Sequence, residues 1–407
     1  MNGRGEAVGV ATISYTTHSR HLNYGAVLHG WAFQQVLKRL GCESVVVDYL
    51  PRALANHHFK WPILDTFRCW RRPGLFARRF LQWLFSTRAN LRKWRKFERF
   101  IHSELNVTQE TYTADSLVAA ERLGELDPAV FVAEADVIWK RNARYGMDRG
   151  FFLDFPAASG KRKVAYAPSL AKEGFPGAEG ERFAAYPKTF SAVSSRERAG
   201  AEMLADILGR DVPWLLDPTL LLDSADYAAL AKPTSRKGYV LLYSCMKFNA
   251  NMVREAKRLA ERLGKTLVEV GNFGVNRLIF GHEVIDDAGV EEWLGLFMGA
   301  DCIVCNSFHG ICFSVVFGKP FFAFRRADND WRFTGICGEL GLMDRLVDAG
   351  GRIPDDAPDV DYGRVKEILA HHVSRSLAFI ETNVVGPACL GKAPAADADS
   401  KGGAECP

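Results

Sequence analysis

The chain has 407 residues, with 52 Lys and Arg against 48 Asp and Glu and 48% apolar residues. That balance excludes a disordered, collagenous or wholly coiled-coil chain, and the formal charge of +4 gives no bulk reason to expect a nucleic-acid partner. At about 150 residues per domain the length predicts two or three domains, enough to bury a core without disulfide staples.

No apolar run approaches the roughly 18 residues a membrane helix needs, and the patch 8–13 is too short for a signal peptide, so a cytoplasmic protein is expected. The nine cysteines are odd in number and scattered, which reads as free thiols. Cys302 and Cys305 form a CxxC inside an apolar run. This predicts buried thiols on a strand rather than a zinc or redox pair, and no metal is expected.

Short apolar runs alternate with longer amphipathic ones, the signature of an α/β protein. Residues 8–14 read as a strand, 26–40 as a helix stopped by Gly41, and 44–49 as a second strand, a βαβ opening. The segment 68–99 holds eleven Lys and Arg against one acid, Glu98. Phe76, Phe80 and Leu84, then Leu91, Trp94, Phe97 and Ile101, recur at helical spacing and predict a basic amphipathic helix or helix pair over 68–102. Its aromatic side predicts packing on the protein. Its charge equally fits an anionic membrane surface or a polyanionic substrate.

Further strands are expected at 130–133, 163–167 and 190–193, with a helix at 196–208. The polar stretch around 232–238 marks a boundary. The alternation then restarts, with strands at 239–244, 266–270, 302–305 and 320–324. Helices follow at 249–263, 290–298, 309–317, 331–340 and 362–383. The expected organisation is a first Rossmann-like domain over 1–232, a second over 233–384, and an Ala/Gly/Pro-rich disordered tail over 385–407. Two such domains face a cleft, and ligands bind at the carboxyl ends of their strands.

Candidate chemistry is therefore sought in loops after strands. Asn306-Ser307-Phe308-His309-Gly310 follows the strand 302–305 and opens a helix, with Asn306 and Ser307 as capping types. His309 then sits where free backbone N–H groups and the helix dipole favour an anion. The dipole lowers its pKa in the empty site and a bound anion raises it. Asn23 and Gly25 occupy the matching turn of the first domain, where a glycine lets backbone approach a ligand closely. His18 and His21 precede it and read as ordinary loop histidines. Arg196, after the strand 190–193, suits a phosphate or carboxylate, or equally an ion pair with Glu197. Asp136, just past the strand 130–133, is a candidate base. Asp217, before Pro218, reads as a turn cap. No Walker A, GxGxxG, HExxH or GxSxG pattern is present.

In chain order, Asn23-Tyr24-Gly25-Ala26, Asp136-Val137-Ile138-Trp139, Lys163-Val164-Ala165-Tyr166-Ala167-Pro168-Ser169, Ser195-Arg196-Glu197, Leu216-Asp217-Pro218-Thr219 and Asn306-Ser307-Phe308-His309-Gly310 resemble the polysaccharide pyruvyl transferase family of bacteria. The resemblance runs over about 8–346. It implies a GT-B-like fold and transfer of a pyruvyl group from phosphoenolpyruvate to one or two sugar hydroxyls in capsule or exopolysaccharide assembly. The acceptor would be a cell-surface glycan or its lipid-linked precursor. Phosphoenolpyruvate is then a donor substrate, and no further cofactor is expected. By position, His309 matches the family's catalytic or donor-binding histidine, Arg196 its donor-binding arginine, and Asn23 and Gly25 its first-domain loop. Asp136 would take the hydroxyl proton or orient the acceptor.

The chain departs from the family in two places. Many members carry Gly-Ser-Asp where this chain has Glu134-Ala135-Asp136, and characterised branches often have Arg where it has Ser307. Lys247, Arg325 or Arg326, at strand ends, would supply the missing cation. The competing readings are a GT-B glycosyltransferase with a nucleotide-sugar donor and a non-catalytic binding protein that has lost its donor site. The basic helix would lean on the membrane that carries lipid-linked acceptors.

Overall fold

The computed structural model describes residues 9–17, 22–55, 70–71, 73–142, 144–170, 178–245, 248–271, 274–326 and 330–390. His18, His21 and Lys247 lie outside the described residues.

Two parallel sheets of six strands carry the fold. The first runs β3-β2-β1-β4-β5-β6, from β1 (Val10–Ile13), β2 (Ser44–Leu50), β3 (Val107–Thr113), β4 (Val130–Glu134), β5 (Arg162–Tyr166) and β6 (Ala192–Val193). The second runs β12-β11-β10-β7-β8-β9, from β7 (Tyr239–Ser244), β8 (Thr266–Gly271), β9 (Glu283–Ile285), β10 (Cys302–Cys305), β11 (Phe321–Phe324) and β12 (Leu346–Val347). Counted from its own first strand, each sheet has the same doubly wound order, with its topological switch point between β1 and β4 or between β7 and β10. This is the expected α/β, two-Rossmann, GT-B-like architecture. The central strands β1, β7 and β10 are buried along their whole length, as a parallel sheet covered on both faces requires.

The expected strands are present. Three more, β3, β9 and the two-residue β12, extend the edges. β3 is polar, with exposed residues through its middle, and β9 has only three residues, so neither carries the apolar run that marks a central strand. The helices that build the site are α1 (Tyr24–Arg39), α2 (Pro73–Glu104), α3 (Arg198–Leu208), α4 (Val290–Gly299), α5 (Phe308–Val316), α6 (Asp330–Glu339) and α7 (Tyr362–Ile380).

Helix α2 is the basic segment, formed as one helix. Its C-terminal half turns Phe97, Phe100 and Ile101 inward, and the Phe97 ring lies 5.1 Å from that of Tyr24. Its cations bind the second half of the chain. Arg92 pairs with Asp287 at 2.6 Å, and Lys96 donates to the Asp287 carbonyl at 2.9 Å and pairs with Glu292 at 2.6 Å. Two of the segment's eleven cations thus tie the two sheets' layers together. No described helix is long and apolar enough to cross a membrane.

Helix α7 crosses back to the first sheet's layer. The Leu216 N–H donates to Ser376 Oγ at 3.1 Å, and the His372 ring meets Trp214 edge-on at 4.7 Å. The chain stays helical through Gly386–Leu390 with Ala388 buried. This differs from the expectation of disorder from 385, since Val385 and Ala388 are buried there. The remainder of that tail, 391–407, lies outside the described residues. Cys302 and Cys305 are free buried thiols, each pushed up to about 12 by burial.

Candidate active site

The site lies where both switch points meet. From the first sheet, the chain leaves β4 through Ala135 and Asp136, both in the left-handed region at φ 43° and 50°, and leaves β5 through Ala167 at φ 50°. Such conformations cost of order 1 kcal/mol or more for a residue with a Cβ, and they cluster at functional sites. The strained turns hold each other. The Ala135 N–H donates to the Tyr166 carbonyl at 2.8 Å and the Ser169 N–H to the Asp136 carbonyl at 2.7 Å. The Asp136 carboxylate is thereby fixed at the rim of the sheet beside β1.

Beneath it lies His29 of α1, fully buried. Its Nδ1 is 2.8 Å from Glu134 Oε1, and its Nε2 is 3.7 Å from Asp136 Oδ2. Burial alone would strip its proton, but the two carboxylates outweigh burial and raise its pKa to about 10, so at neutral pH it is an imidazolium. Burial pushes the Asp136 carboxyl up, but His29 first and then Arg196 hold it well below the usual carboxylate range.

Arg196 enters from the loop after β6. Its Nη1 donates to Asp217 Oδ2 at 2.5 Å, and its guanidinium lies 4.4 Å over the Phe308 ring. Asp217 is locked from behind, where Oδ1 accepts from the Thr219 N–H and hydroxyl at 3.0 and 2.7 Å. Its Oδ2 also lies 3.6 Å from His309 Nε2, so one carboxylate aligns both residues. The turn cap read from Asp217-Pro218 is present and is also this alignment device.

His309 stands in the first turn of α5, as its motif predicted, with its ring 6.2 Å from that of His29 and inclined by 20°. Burial lowers its pKa. Asp217 opposes that and Arg196 adds to it, and the net shift is downward, so His309 is neutral in the empty site. Gly25 has a specific reason to be glycine, since a Cβ there would overlap the His309 ring. The first-domain turn and the second-domain histidine are therefore in direct contact.

Other expected residues serve the scaffold. Asn23 caps α1, its Oδ1 accepting from the Gly25 N–H at 3.1 Å. Asn306 Oδ1 accepts from the Cys245 N–H at 2.7 Å and joins the ends of β10 and β7. Ser307 precedes α5 without a side-chain capping bond. Arg325, at the end of β11, pairs with Asp348 at 3.2 Å and is partly exposed. The cation at the site is Arg332 of α6. It is largely buried, and the charges that act on it, after burial, are those of Arg196, Glu197, Asp136 and Arg326.

His29, Glu134, Asp217 and Arg332 are thus site residues that the sequence reading missed. Arg196 Nε and Nη2, Arg332 Nε and His309 Nε2 are buried without a hydrogen-bond partner among the described residues, although Glu197 Oε1 lies 3.5 Å from Arg196 Nε, the ion pair the sequence also allowed. Buried polar groups are normally satisfied, so a set of donors left open together is a cradle for an anion.

Among curated proteins, none matches the chain. Solved structures of similar outline include the UDP-GlcNAc 2-epimerase of Methanocaldococcus jannaschii, at 12% identity and a TM-score of 0.46, covering 91% of this chain and 93% of that one. The ADP-heptose lps heptosyltransferase II of E. coli matches at 10% identity and a TM-score of 0.39, covering 89% and 99%. The family model of the polysaccharide pyruvyl transferases matches residues 23–329, from the capped turn at Asn23 through β11, and takes in His29, Asp136, Arg196, Asp217 and His309. The chain belongs to the polysaccharide pyruvyl transferase family.

Proposed function

We propose that the protein transfers a pyruvyl group from phosphoenolpyruvate to hydroxyls of a cell-surface glycan or its lipid-linked precursor. The observation that carries this reading is the cluster of open donors on Arg196, Arg332 and His309, which suits a small ligand with two anionic ends. Arg196 and Arg332 hold the phosphate and carboxylate of the donor, with His309 at its reacting end.

The chemistry follows from the protonation states. Binding the donor brings negative charge next to a neutral His309, raises its pKa and recruits a proton. That proton goes from His309 to the methylene carbon, which becomes a methyl group. An acceptor hydroxyl oxygen bonds to the central carbon as its own proton passes to His309. For a ketal, a second hydroxyl oxygen displaces phosphate from the same carbon. The carbon–oxygen bond to phosphate breaks with its electron pair, and the phosphate takes the second hydroxyl proton. Asp136, held ionised by His29, is a poor base, because a carboxylate with so low a pKa gains little by accepting a proton. Its role is to orient the acceptor and to stabilise positive charge developing at the central carbon.

Thermal stability in the presence of phosphoenolpyruvate or nucleotide sugars tests the reading. A ligand at 100 times its dissociation constant stabilises by about 2.7 kcal/mol. Phosphoenolpyruvate should give a shift that Arg332→Ala abolishes. A shift with nucleotide sugars alone would replace pyruvyl transfer with glycosyl transfer.

A further inference from the structure

A second concavity lies on the same edge of the first sheet, beyond β1 from His309. It has a volume of about 140 Å³ and is lined by Tyr15, Tyr49, Tyr145 and Phe151, with Asn142 and Asp148 among them. Every one of these residues belongs to the carboxyl end of a strand or the loop after it. Tyr15 follows β1, Tyr49 is near the end of β2, and 142–151 lie in the connection after β4. The pocket is well below the roughly 300–1,000 Å³ of a drug-sized site, so it takes a single ring.

The walls pack against one another. The Tyr15 and Phe151 rings lie 4.7 Å apart, and Tyr49 meets Phe151 edge-on at 5.3 Å. Tyr49 donates its hydroxyl hydrogen to Asp148, which also accepts from the Gly150 N–H at 3.0 Å. Gly150 is glycine because a Cβ there would press into the Tyr49 ring. Asn142 Oδ1 accepts from the N–H groups of Arg144 and Tyr145, which sets the Tyr145 loop.

Tyr15 joins this pocket to the reacting centre. β1 and β4 are neighbours in register, Ile13 opposite Ala133, so Tyr15 and Asp136 leave the sheet side by side. Burial first, and then Asp136 and Asp148 together, raise the pKa of the Tyr15 hydroxyl, so it lies within the field of both carboxylates. The charge around the mouth is balanced. Arg52 pairs with Asp115, Arg149 pairs with Asp154 at 2.7 Å, and one cation, Lys140, and one anion, Asp148, share the lining. Aromatic faces beside a carboxylate and an amide, without excess charge, suit the alternating apolar and hydroxyl surfaces of an uncharged sugar ring.

We propose that this pocket is the acceptor subsite, taking one uncharged pyranose ring and presenting its hydroxyls past Tyr15 to Asp136 and His309. The proposal rests on the pyruvyl-transfer reading for the word acceptor, but the binding it predicts does not.

The test is saturation-transfer NMR on the full chain. The probes are the methyl pyranosides of glucose, galactose, mannose and N-acetylglucosamine, with inorganic phosphate as the charged comparator. Val118→Trp, on a half-buried lining position of the helix after β3, fills the pocket. Asp148→Asn keeps a cap for Gly150 and removes the charge. At least one pyranoside should bind the wild type, and its dissociation constant should rise at least tenfold in both variants. The thermal shift with phosphoenolpyruvate should be the same in all three proteins. Absence of pyranoside binding, full binding in Val118→Trp, or displacement of the sugar by phosphate would overturn the proposal. Sugar binding that maps to the pocket, with no phosphoenolpyruvate shift in any protein, would support the subsite and sink the donor reading instead.

Discussion

Replacing His29 probes the electrostatic basis of the site most directly. In the folded protein its pKa is about 10, against roughly 6.5 in an unfolded chain. A group whose folded pKa is raised stabilises the fold fully below the unfolded value. That contribution is lost as pH climbs from about 6.5 through about 10, because over that interval the native state binds the proton and the unfolded state does not. At about 1.4 kcal/mol per pKa unit the difference sets a ceiling of about 5 kcal/mol. His29→Gln leaves Glu134 and Asp136 buried without the cation between them, a defect that costs roughly 3–5 kcal/mol. If the first half of the chain unfolds as a unit of some 200 residues, each kcal/mol lowers its Tm by about 2–4 °C, so the variant should melt roughly 6–20 °C below wild type at pH 7. Melting both proteins at pH 7, 8, 9 and 10 is the assay. The gap should shrink by more than half by pH 10, where wild-type His29 is half-titrated and little of its linkage to folding remains. The pair His29→Gln with Glu134→Gln should recover much of the loss, since the buried anion leaves with its cation. A gap that stays constant from pH 7 to 10, or never exceeds about 1 kcal/mol, would refute an imidazolium at this position.

Gly25→Ala adds a methyl group where the His309 ring lies, although alanine suits the helix itself better by about 1 kcal/mol. Its Tm should change little while pyruvyl transfer, followed as phosphate release, falls by roughly a hundredfold, the scale expected for a displacement of about 1 Å. Asp217→Asn removes an anion that raises the His309 pKa, so the alkaline limb of the pH–rate profile, where His309 loses the proton it donates, should move to lower pH as kcat falls; an unmoved limb would dissociate Asp217 from His309. Lys93, buried 4.5 Å over the Tyr24 ring, has a pKa lowered by burial to about 7. Its charge therefore destabilises the fold below about pH 7, and that penalty fades as pH rises toward about 10.4. Lys93→Met should raise stability by about 1–3 kcal/mol at pH 6–7, with the gain shrinking by pH 9. A gain independent of pH would mean that packing, not charge, was responsible.

The alternation of apolar runs made both Rossmann units legible, because a buried parallel strand leaves a continuous signature such as Cys302-Ile303-Val304-Cys305. The edge strands β3 and β9 leave none, since an edge is kept short or polar. His309 and Gly25 were legible as turn residues at strand ends, yet nothing local says that they touch, for that depends on how the two sheets face each other. The same holds for His29. On a helix among apolar neighbours it has the look of a core residue, and its meaning comes from Glu134, 105 positions away. Glu134 stood out only as a departure from the family's Gly-Ser-Asp. The structure pairs that departure with His29, so a buried carboxylate enters together with the cation that balances it.

The second departure, Ser307, follows a related logic. An arginine there would share a buried corner with Arg196, whose guanidinium already stacks on Phe308 one residue further on. Three guanidinium groups in that space would repel one another in the absence of a ligand. Burial and Arg196 together already lower the pKa of Arg332 to about 10. With serine at 307 the second cation comes from α6, after β11. Under the proposed function, a donor with two anionic ends would be held between cations carried by different elements, Arg196 from the first sheet's layer and Arg332 from the second, and its orientation over His309 would depend on both halves of the molecule being in place.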